Sequence, residues 1–435
     1  MRVQAIAVVA AAWLGLACGP SPEPTRPSVV VVSFDALRAD ATSPYGAPHR
    51  VTPHMDAFAR RATRFEAAYS PTAKTPSSFA AYLTGRHATD ALVDWALPAE
   101  LPTLAELFAA EGLATAAFFN NPALQADRGF ERGFAHFEMM RGVDDAFVVR
   151  RALAWLDAAP EPFLLWLHLI DPHTPWLPHE EAAALYAGGA ATLHAGPMPA
   201  LLEIDDEAEL RRAHDLYRGE VHRSDRLFGE VLAKLDALGV ARRTVVLLTS
   251  DHGEEMMEHG QLQHGALTEE NIAIPAVLRA PGQANAEVKP LWRGVDLLPT
   301  LASLAGVEVP PGLDGVDALA ETPASVIAVA HTNRKRQAAS IRVGDDKLIV
   351  QCRRDGPRTR ALYDLAHDPD ERIDRSSAEP SLADALEARL WAGLRRGGCA
   401  ELPMRRGVAP EVDAGDRAAL EALGYVGAEA GGEDD

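Results

Sequence analysis

The sequence predicts an α/β sandwich, in which a large, mainly parallel sheet is flanked by helices and followed by a small antiparallel-sheet subdomain. Three observations predict it. Strand-like and helix-like segments alternate from residue 28 onward. The runs Val29-Val30-Val31-Val32 and Val245-Val246-Leu247-Leu248 are unbroken and apolar, the pattern of strands buried on both faces in a parallel sheet. Each run leads into a carboxylate, Asp35 or Asp251, at the strand end where open α/β sheets place their ligands.

In chain order, residues 28–34 form the first strand and end on Asp35, with Arg38 and Asp40 just beyond. Residues 79–84 are an apolar helical run closed by Gly85 and Arg86. Residues 103–112 read as a helix, 113–120 as a strand and 148–158 as a helix. Residues 162–170 are another buried strand, running into Asp171-Pro172-His173-Thr174-Pro175-Trp176. The Gly- and Ala-rich stretch 182–198 reads as a loop over the strand ends. Residues 207–238 form a long amphipathic helix that shields one sheet face and delivers the chain into the strand ending at Asp251. Pro310-Pro311-Gly312 punctuates a boundary. Beyond it, 325–330, 338–343 and 346–351 read as short antiparallel strands, 382–397 as a terminal helix and 429–435 as an acidic tail. The domains expected are 1–18, 19–27, 28–310 and 311–435: an export signal, a Pro-rich tether, a catalytic domain and a C-terminal subdomain.

Composition excludes some functions. The 435 residues are 47% hydrophobic and 24% charged, with 62 acidic against 42 basic side chains and a net charge of −20. That balance, without any Lys/Arg cluster interleaved with aromatics, argues against nucleic acid or an anionic lipid surface as partner. The N-terminus reads as an export signal: Arg2, then an apolar run over 5–17 too short to span a bilayer. Its end, Leu16-Ala17-Cys18-Gly19, resembles a bacterial lipoprotein box with Cys18 as the acylated residue, although Gly15 stands where leucine is usual. The expected location is the bacterial cell envelope, with the chain held to the membrane by a lipid on Cys18. The alternative is ordinary signal cleavage nearby. Of three cysteines, Cys352 and Cys399 then remain; export permits a disulfide between them, and two free thiols are the alternative.

The chemistry gathers at strand ends. Asp251 and His252 offer a hard oxygen and a borderline nitrogen donor, a natural pair for a divalent metal, where the bland alternative is an Asp opening a turn. Asp35, at the end of a second buried strand, favours the metal. Thr75 stands just before an apolar helical run, where free backbone N–H groups and the positive dipole end suit an anionic ester, and Lys74 adds positive charge. The alternative is that Thr75 merely caps the helix, with Pro76 at its first position. Of fifteen histidines, His252 is the firmest ligand and His173, fixed by a proline-flanked turn at a strand end, the next; His264 follows. His168, inside a strand, reads as a hydrogen-bonded structural residue, and Glu258 and His259 as supports behind the ligands.

The ordered segments resemble the sulfatase family of the alkaline phosphatase superfamily, over nearly the whole chain beyond the export signal. The carriers are Val31-Val32-Ser33-Phe34-Asp35-Ala36-Leu37-Arg38-Ala39-Asp40, Thr52-Pro53-His54-Met55-Asp56, Tyr69-Ser70-Pro71 and Leu83-Thr84-Gly85-Arg86. They continue with His168, Asp171-Pro172-His173-Thr174-Pro175, Thr249-Ser250-Asp251-His252-Gly253-Glu254, Glu258-His259-Gly260, Asp296-Leu297-Leu298-Pro299-Thr300, Leu362-Tyr363-Asp364-Leu365 and Leu423-Gly424-Tyr425-Val426. The resemblance implies an alkaline-phosphatase-like fold in which Asp35, Asp251 and His252 hold one divalent cation: Ca²⁺ as in typical sulfatases, or Mn²⁺, Zn²⁺ or Mg²⁺. It places Thr75 where sulfatases carry the cysteine that becomes formylglycine. His173 and His264 fall where such enzymes bind ester oxygens or assist the leaving group, and Lys74 and Arg86 flank the nucleophile as candidate substrate contacts.

The departures carry as much meaning. Usual sulfatases have Cys-x-Pro-Ser-Arg, and this chain has Thr75-Pro76-Ser77-Ser78-Phe79. A threonine cannot become formylglycine, Phe79 replaces a basic residue, and Ala36 stands where many members have a second Asp. The set resembles threonine enzymes of the same superfamily that transfer phosphoryl or phosphoethanolamine groups. The expectation is therefore a metal-dependent ester hydrolase acting on sulfate or, in preference, phosphate or phosphonate esters through a covalent threonine, on an anionic substrate such as a glycan or lipid head group. The alternatives are a decayed sulfatase-like protein that binds anionic glycans, and a phosphoethanolamine-type transferase.

Overall fold

The computed structural model describes residues 26–402 except 190–191, 193–197, 199–203, 205, 284–285, 334–335 and 354–356. The expected export signal with Cys18, most of the tether, part of the 182–198 loop, the Leu423-Gly424-Tyr425-Val426 motif and the acidic tail lie outside the described residues.

The main sheet has eight strands. In chain order they are β1 (Ser28–Phe34), β2 (Thr63–Tyr69), β3 (Ala114–Phe119), β4 (His136–Met139), β5 (Phe163–Leu169), β6 (Thr244–Ser250), β9 (Ala276–Arg279) and β10 (Glu287–Arg293). The numbers β7 (Glu255–Met256) and β8 (Leu262–Gln263) belong to a two-stranded ribbon beyond β6. The spatial order is β10-β2-β9-β6-β1-β5-β3-β4, and β9 alone runs antiparallel to its neighbours. β1 lies between β5 and β6, parallel to both, in the centre of the sheet.

The valine run explains that position. Val29 and Val31 point into one core and Val30 and Val32 into the other, all fully buried. The first core is covered by α2 (Thr75–Thr84), α4 (Leu104–Ala110) and α8 (Leu297–Ala305); the second by α1 (Pro53–Ala59), α5 (Asp145–Leu156) and the long α6 (Glu207–Ala237). The short helices α3 (Ala88–Ala91) and α7 (Glu269–Ile272) complete this domain. Burying each such side chain contributes about 1.5–3 kcal/mol, so the two-faced strand is the best-anchored element of the fold. Among the described residues no helix is long and apolar enough to cross a membrane.

The expected helices and strands recur with ends shifted by a few residues. α5 starts earlier than expected because Asp144 caps it, accepting from the Ala146 amide, and Thr103 closes a capping box with Glu106 at α4. The sequence reading did not foresee β2, β4, β9 or β10. β10 and β4 are the sheet edges, where most side chains are only partly covered and no apolar run is needed; Pro290 in β10 is tolerated there for the same reason.

Beyond residue 310, β11 (Val326–Asn333), β12 (Arg336–Val343), β13 (Asp346–Arg353) and β14 (Thr359–Asp364) form an antiparallel meander, with α9 (Pro380–Gly393) packed on it. β14 is an addition to the three strands expected. Cys352 and Cys399 are disulfide-bonded, tying β13 to the segment after α9. The subdomain docks beside the candidate site: the Val329 amide donates to the Pro71 carbonyl at 2.9 Å.

Candidate active site

Four strands deliver the site. β1 and β6 are in register, Phe34 beside Ser250, so Asp35 and Asp251 emerge side by side. The Asp35 amide donates to Leu169 O at 2.9 Å and the Asp251 amide to Phe34 O at 3.2 Å, which extends the ladder to the carboxylates themselves. β5 continues into the turn carrying His173, and β3 into Asn120 and Asn121. Asp35, Asp251, His252, Asn121 and Thr75 are all fully buried.

Hydrogen bonds fix which atoms remain to bind something. Asp251 Oδ1 accepts from the amides of Ala36 (3.2 Å) and His252 (2.8 Å), while Oδ2 has no hydrogen-bond partner. Asp35 Oδ2 accepts from Asn121 Nδ2 at 2.5 Å, and its Oδ1 has none. His252 Nδ1 faces the Gly253 carbonyl at 2.9 Å and must carry the proton, so Nε2 presents its lone pair. That Nε2 lies 3.6 Å from Asp35 Oδ1 and 3.5 Å from Asp251 Oδ2. Two orphaned carboxylate oxygens and an imidazole lone pair thus converge in the interior, an arrangement that costs several kcal/mol without a cation. The residues fit a divalent metal.

The electrostatics agree. Burial, and then the neighbouring Asp35 charge, push Asp251 up to about 7. Asp35 is held low: burial opposes its ionisation, but His173, His168 and His252 outweigh it. Burial brings His252 down to about 4, the neutral form a metal requires.

His168 extends the sequence reading. Its Nδ1 is hydrogen-bonded to Ser33 Oγ at 3.0 Å, as a structural residue would be, and Trp166 Nε1 donates to the same oxygen at 2.9 Å. Its Nε2, however, is buried without a hydrogen-bond partner, 3.6 Å from Asp35 Oδ2, and lies within 4.8 Å of ligand atoms of Asp35 and Asp251. It therefore belongs to the candidate metal set, and Asn121 braces Asp35 by donating to its Oδ2. Sequence reasoning missed both. The available signal was polar residues at the C-terminal ends of β5 and β3, the strands on one side of β1.

Thr75 is the first residue of α2, and Lys74, not Thr75, is the N-cap. The capping alternative is thereby removed. The Thr75 hydroxyl instead lies 3.2 Å from His252 Nε2 and donates toward Asp35 Oδ2 at 3.4 Å. Helical spacing puts Thr75, Ser78 and Tyr82 on one face. Ser78 Oγ donates to Asp251 O at 2.7 Å and Tyr82 Oη to Ser250 O at 2.7 Å, fastening α2 across the end of β6. Phe79 points elsewhere, fully buried against His168, Trp166 and Phe119. Ala36, at φ 60°, contributes its amide to Asp251 in place of a carboxylate.

His173 and His264 meet: their Nε2 atoms are 3.0 Å apart. His173 Nδ1 faces Thr174 O at 2.6 Å and His264 Nδ1 faces Ala73 O at 3.0 Å, so both Nδ1 atoms carry protons. Burial depresses both rings, His264 further through Lys74 and His252. Burial thus favours the neutral rings, and a proton taken up by the pair would be shared between the two Nε2 atoms. The His264 ring stacks on His252 with centroids 4.2 Å apart, which sets the pair beside the metal set.

The remaining expectations divide. Lys74 adjoins Thr75 and its charge acts on His252 and His264. Arg86 is not brought to the site. It lies past the far end of α2, a helix of ten residues and so about 15 Å long, with its Nε 3.2 Å from Asp314 Oδ2. Glu258 pairs with Arg38 at 2.6 Å, and His259 approaches Glu270 at 3.3 Å. A cavity of about 380 Å³ opens beyond Ala36 and Tyr217, lined by Arg38, His214, Arg218 and Met256, but none of Asp35, Thr75, Asp251 or His252 lines it. It is not the reaction centre.

Comparison with known proteins gives a consistent picture. A family model described as Sulfatase matches residues 27–307. The ulvan-active sulfatase of Formosa agariphila is 27% identical over 336 residues, covering 68% of this chain and 65% of that protein. Arylsulfatase K of Mus musculus is 28% identical over 201 residues, 42% of this chain and 36% of that protein. The chain thus spans less than two thirds of the length of these curated relatives. Among solved structures, BT4656 in complex with its substrate D-glucosamine-2-N,6-O-disulfate superposes with a TM-score of 0.73 at 19% identity, over 87% of this chain and 100% of that one. The phosphonate monoester hydrolase of Agrobacterium radiobacter gives 0.70 at 18% identity, over 85% and 95%. At these identities the structures speak for the fold.

Proposed function

The chain belongs to the sulfatase family, and from that premise we propose that it is a metal-dependent ester hydrolase with Thr75 as nucleophile, acting on phosphate or phosphonate esters in preference to sulfate. The observation that carries the reading is the Thr75 hydroxyl, 3.2 Å from His252 Nε2 and 3.4 Å from Asp35 Oδ2 at the N-terminus of α2.

Asp35, Asp251 and His252, with His168 at the same point, would hold one divalent cation. When bound, that cation supplies Lewis-acid stabilisation of the anionic ester and lowers the pKa of a nearby hydroxyl. The protein's own residues do the rest. Thr75 Oγ1, its proton released to solvent, attacks the phosphorus; the Thr–O–P bond forms as the bond to the departing alkoxide breaks. The positive end of α2 and Lys74 stabilise the equatorial oxygens. The His173–His264 pair delivers its shared proton to the alkoxide. Water then hydrolyses the phosphothreonine and restores the hydroxyl.

The threonine supports phosphoryl chemistry, because the formylglycine of usual sulfatases needs a cysteine. The names of the relatives, an ulvan-active sulfatase and a protein bound to a glucosamine disulfate, support an anionic glycan as the carrier of the ester. The same reading places the enzyme in an exported, Cys18-anchored form at the bacterial envelope, and the Cys352–Cys399 disulfide supports export. The test is an ester panel of aryl sulfate, phosphate monoester, phosphodiester and phosphonate, each with Ca²⁺, Mg²⁺, Mn²⁺ and Zn²⁺. Metal-dependent phosphodiester or phosphonate turnover, lost in Thr75→Ala, is expected. Turnover confined to the sulfate would overturn the preference for phosphorus, and silence on every ester would favour an anion-binding protein or an acceptor-specific transferase.

A further inference from the structure

A second convergence of ligand atoms lies where the catalytic layer meets the C-terminal subdomain. His259 sits in the turn between β7 and β8, Glu270 in α7, and Glu371 in the loop after β14. One ligand atom from each of His259, Glu270 and Glu371 lies within 4.8 Å of the other two, and His259 Nε2 is only 3.3 Å from Glu270 Oε2. Tetrahedral ligands about 2.1 Å from a metal are roughly 3.4 Å from each other, so that pair already has a coordinating spacing.

The three groups come from separate segments; the two carboxylates are withdrawn from water, while the His259 ring is 23% exposed. The Glu270 and Glu371 side chains are 8% and 1% exposed. His259 Nε2 and Glu270 Oε2 are buried atoms with no hydrogen-bond partner. Glu371 Oε1 rests 2.8 Å from Lys347 Nζ, and its other oxygen accepts the Glu269 amide at 2.6 Å. A carboxylate oxygen has a second lone pair, so Lys347 leaves Glu371 able to bind an ion as well.

Charge counting points the same way. Four largely buried carboxylates meet here: Glu255, Glu269, Glu270 and Glu371. Lys347 and Arg342 are the cations that pair with them, at 2.7 Å and 3.4 Å from Glu269. These four carboxylates therefore outnumber the two cations that pair with them. A divalent cation matches that surplus.

We propose that His259, Glu270 and Glu371 hold a divalent cation, Zn²⁺ or Mn²⁺ by their one-imidazole, two-carboxylate donor set, which clasps the C-terminal subdomain onto the catalytic layer. This site is separate from the Asp35–Asp251–His252 set, and it stands whether or not the ester chemistry proposed above is correct. Its test reads metal content directly. The full chain, loaded with Zn²⁺ or Mn²⁺ and desalted, is assayed by elemental mass spectrometry beside Asp251→Ala, Glu270→Gln and the double variant. Asp251→Ala should keep one equivalent and the double variant none, while Glu270→Gln alone, which keeps the side chain's shape, should hold one equivalent fewer than the unaltered chain. Glu270→Gln should also show a smaller metal-dependent thermal shift than the unaltered chain. Equal metal content in the unaltered chain and Glu270→Gln would overturn the clasp. So would an Asp251→Ala protein that folds and binds nothing. If Asp251→Ala does not fold, the Glu270→Gln comparison decides alone.

Discussion

The Thr75 hydroxyl oxygen lies 3.2 Å from Nε2 of His252, and nothing in the local chemistry of the helix demands that placement. The N-cap of α2 is Lys74, and no side chain caps it. Thr75 is instead aimed by tertiary contacts: Ser78 and Tyr82, on the same helical face, bond to the carbonyls of Asp251 and Ser250. The elements that present the candidate ligands therefore also position the candidate nucleophile.

The first prediction concerns the metal set. With a divalent cation bound, Asp35 and Asp251 are compensated; in chelator they face each other across a dry interior. Saturating metal at about 100 times its Kd should stabilise the fold by about 2.7 kcal/mol. Asp251→Asn should melt below the unaltered protein in metal but at or above it in EDTA, because the substitution removes the like-charge contact. Thermal melts of both proteins in both buffers check this. A variant that melts lower under both conditions would contradict it.

The second concerns the histidine pair. Since the two Nε2 atoms of His173 and His264 are placed to share and pass on a proton, either substitution to Gln should slow esters with poor leaving groups by about 10²–10⁴-fold in kcat/KM. Nitrophenyl esters, whose leaving group needs no proton, should lose far less. A leaving-group series for His173→Gln and His264→Gln measures the slope, and equal losses across it would count against a proton-donor role.

A third follows from Asp145, whose side chain is 2% exposed. It accepts from Asn120 Nδ2 at 2.7 Å and from the amides of Ile170 (3.2 Å) and Asp171 (2.9 Å), so it ties the β3 end to the turn that carries His173. Asp145→Ala should cost about 1–3 kcal/mol for each amide left unpaired, and should lower kcat more than it raises KM. Urea unfolding and steady-state kinetics are the measurements.

The fourth replaces the expected role of Arg86. Its partner Asp314 also accepts the His87 amide at 2.8 Å and Arg395 Nη1 at 2.6 Å, joining the α2 end to the segment after α9. Burial opposes the charge on Asp314, but Arg395 and His87 outweigh it and hold the carboxyl below its ordinary value. A carboxyl lowered in the folded state contributes stability that is complete above its unfolded pKa of about 3.9 and is lost as pH falls through the folded value. Asp314→Asn should therefore flatten the acid limb of the stability curve below about pH 4, and Arg86→Ala should lower the melting temperature while leaving KM unchanged.

Much of this was legible in the sequence because central strands advertise themselves. Val29–Val32 and Val245–Leu248 must bury both faces, and their ends carry Asp35 and Asp251 with no loop whose path must be guessed. Edge strands are quieter: β10, with Pro290 and mostly exposed or half-buried residues, has no apolar run to read. His168 was read only in part for a different reason. Its Nδ1 is tied to Ser33 as a structural histidine's would be, and only the fold reveals that its other nitrogen faces Asp35. Arg86 stood near Thr75 in sequence, but ten helical residues carry it away.

The most direct test of the account is to trap the covalent intermediate. A phosphodiester or phosphonate substrate is mixed with metal-loaded enzyme, quenched in acid within a turnover, and the digested chain is mapped by mass spectrometry. The account predicts one phosphoryl or phosphonyl group on the peptide containing Thr75, dependent on divalent metal and absent from Thr75→Ala. An adduct on another residue, or undiminished turnover by Thr75→Ala, would contradict it.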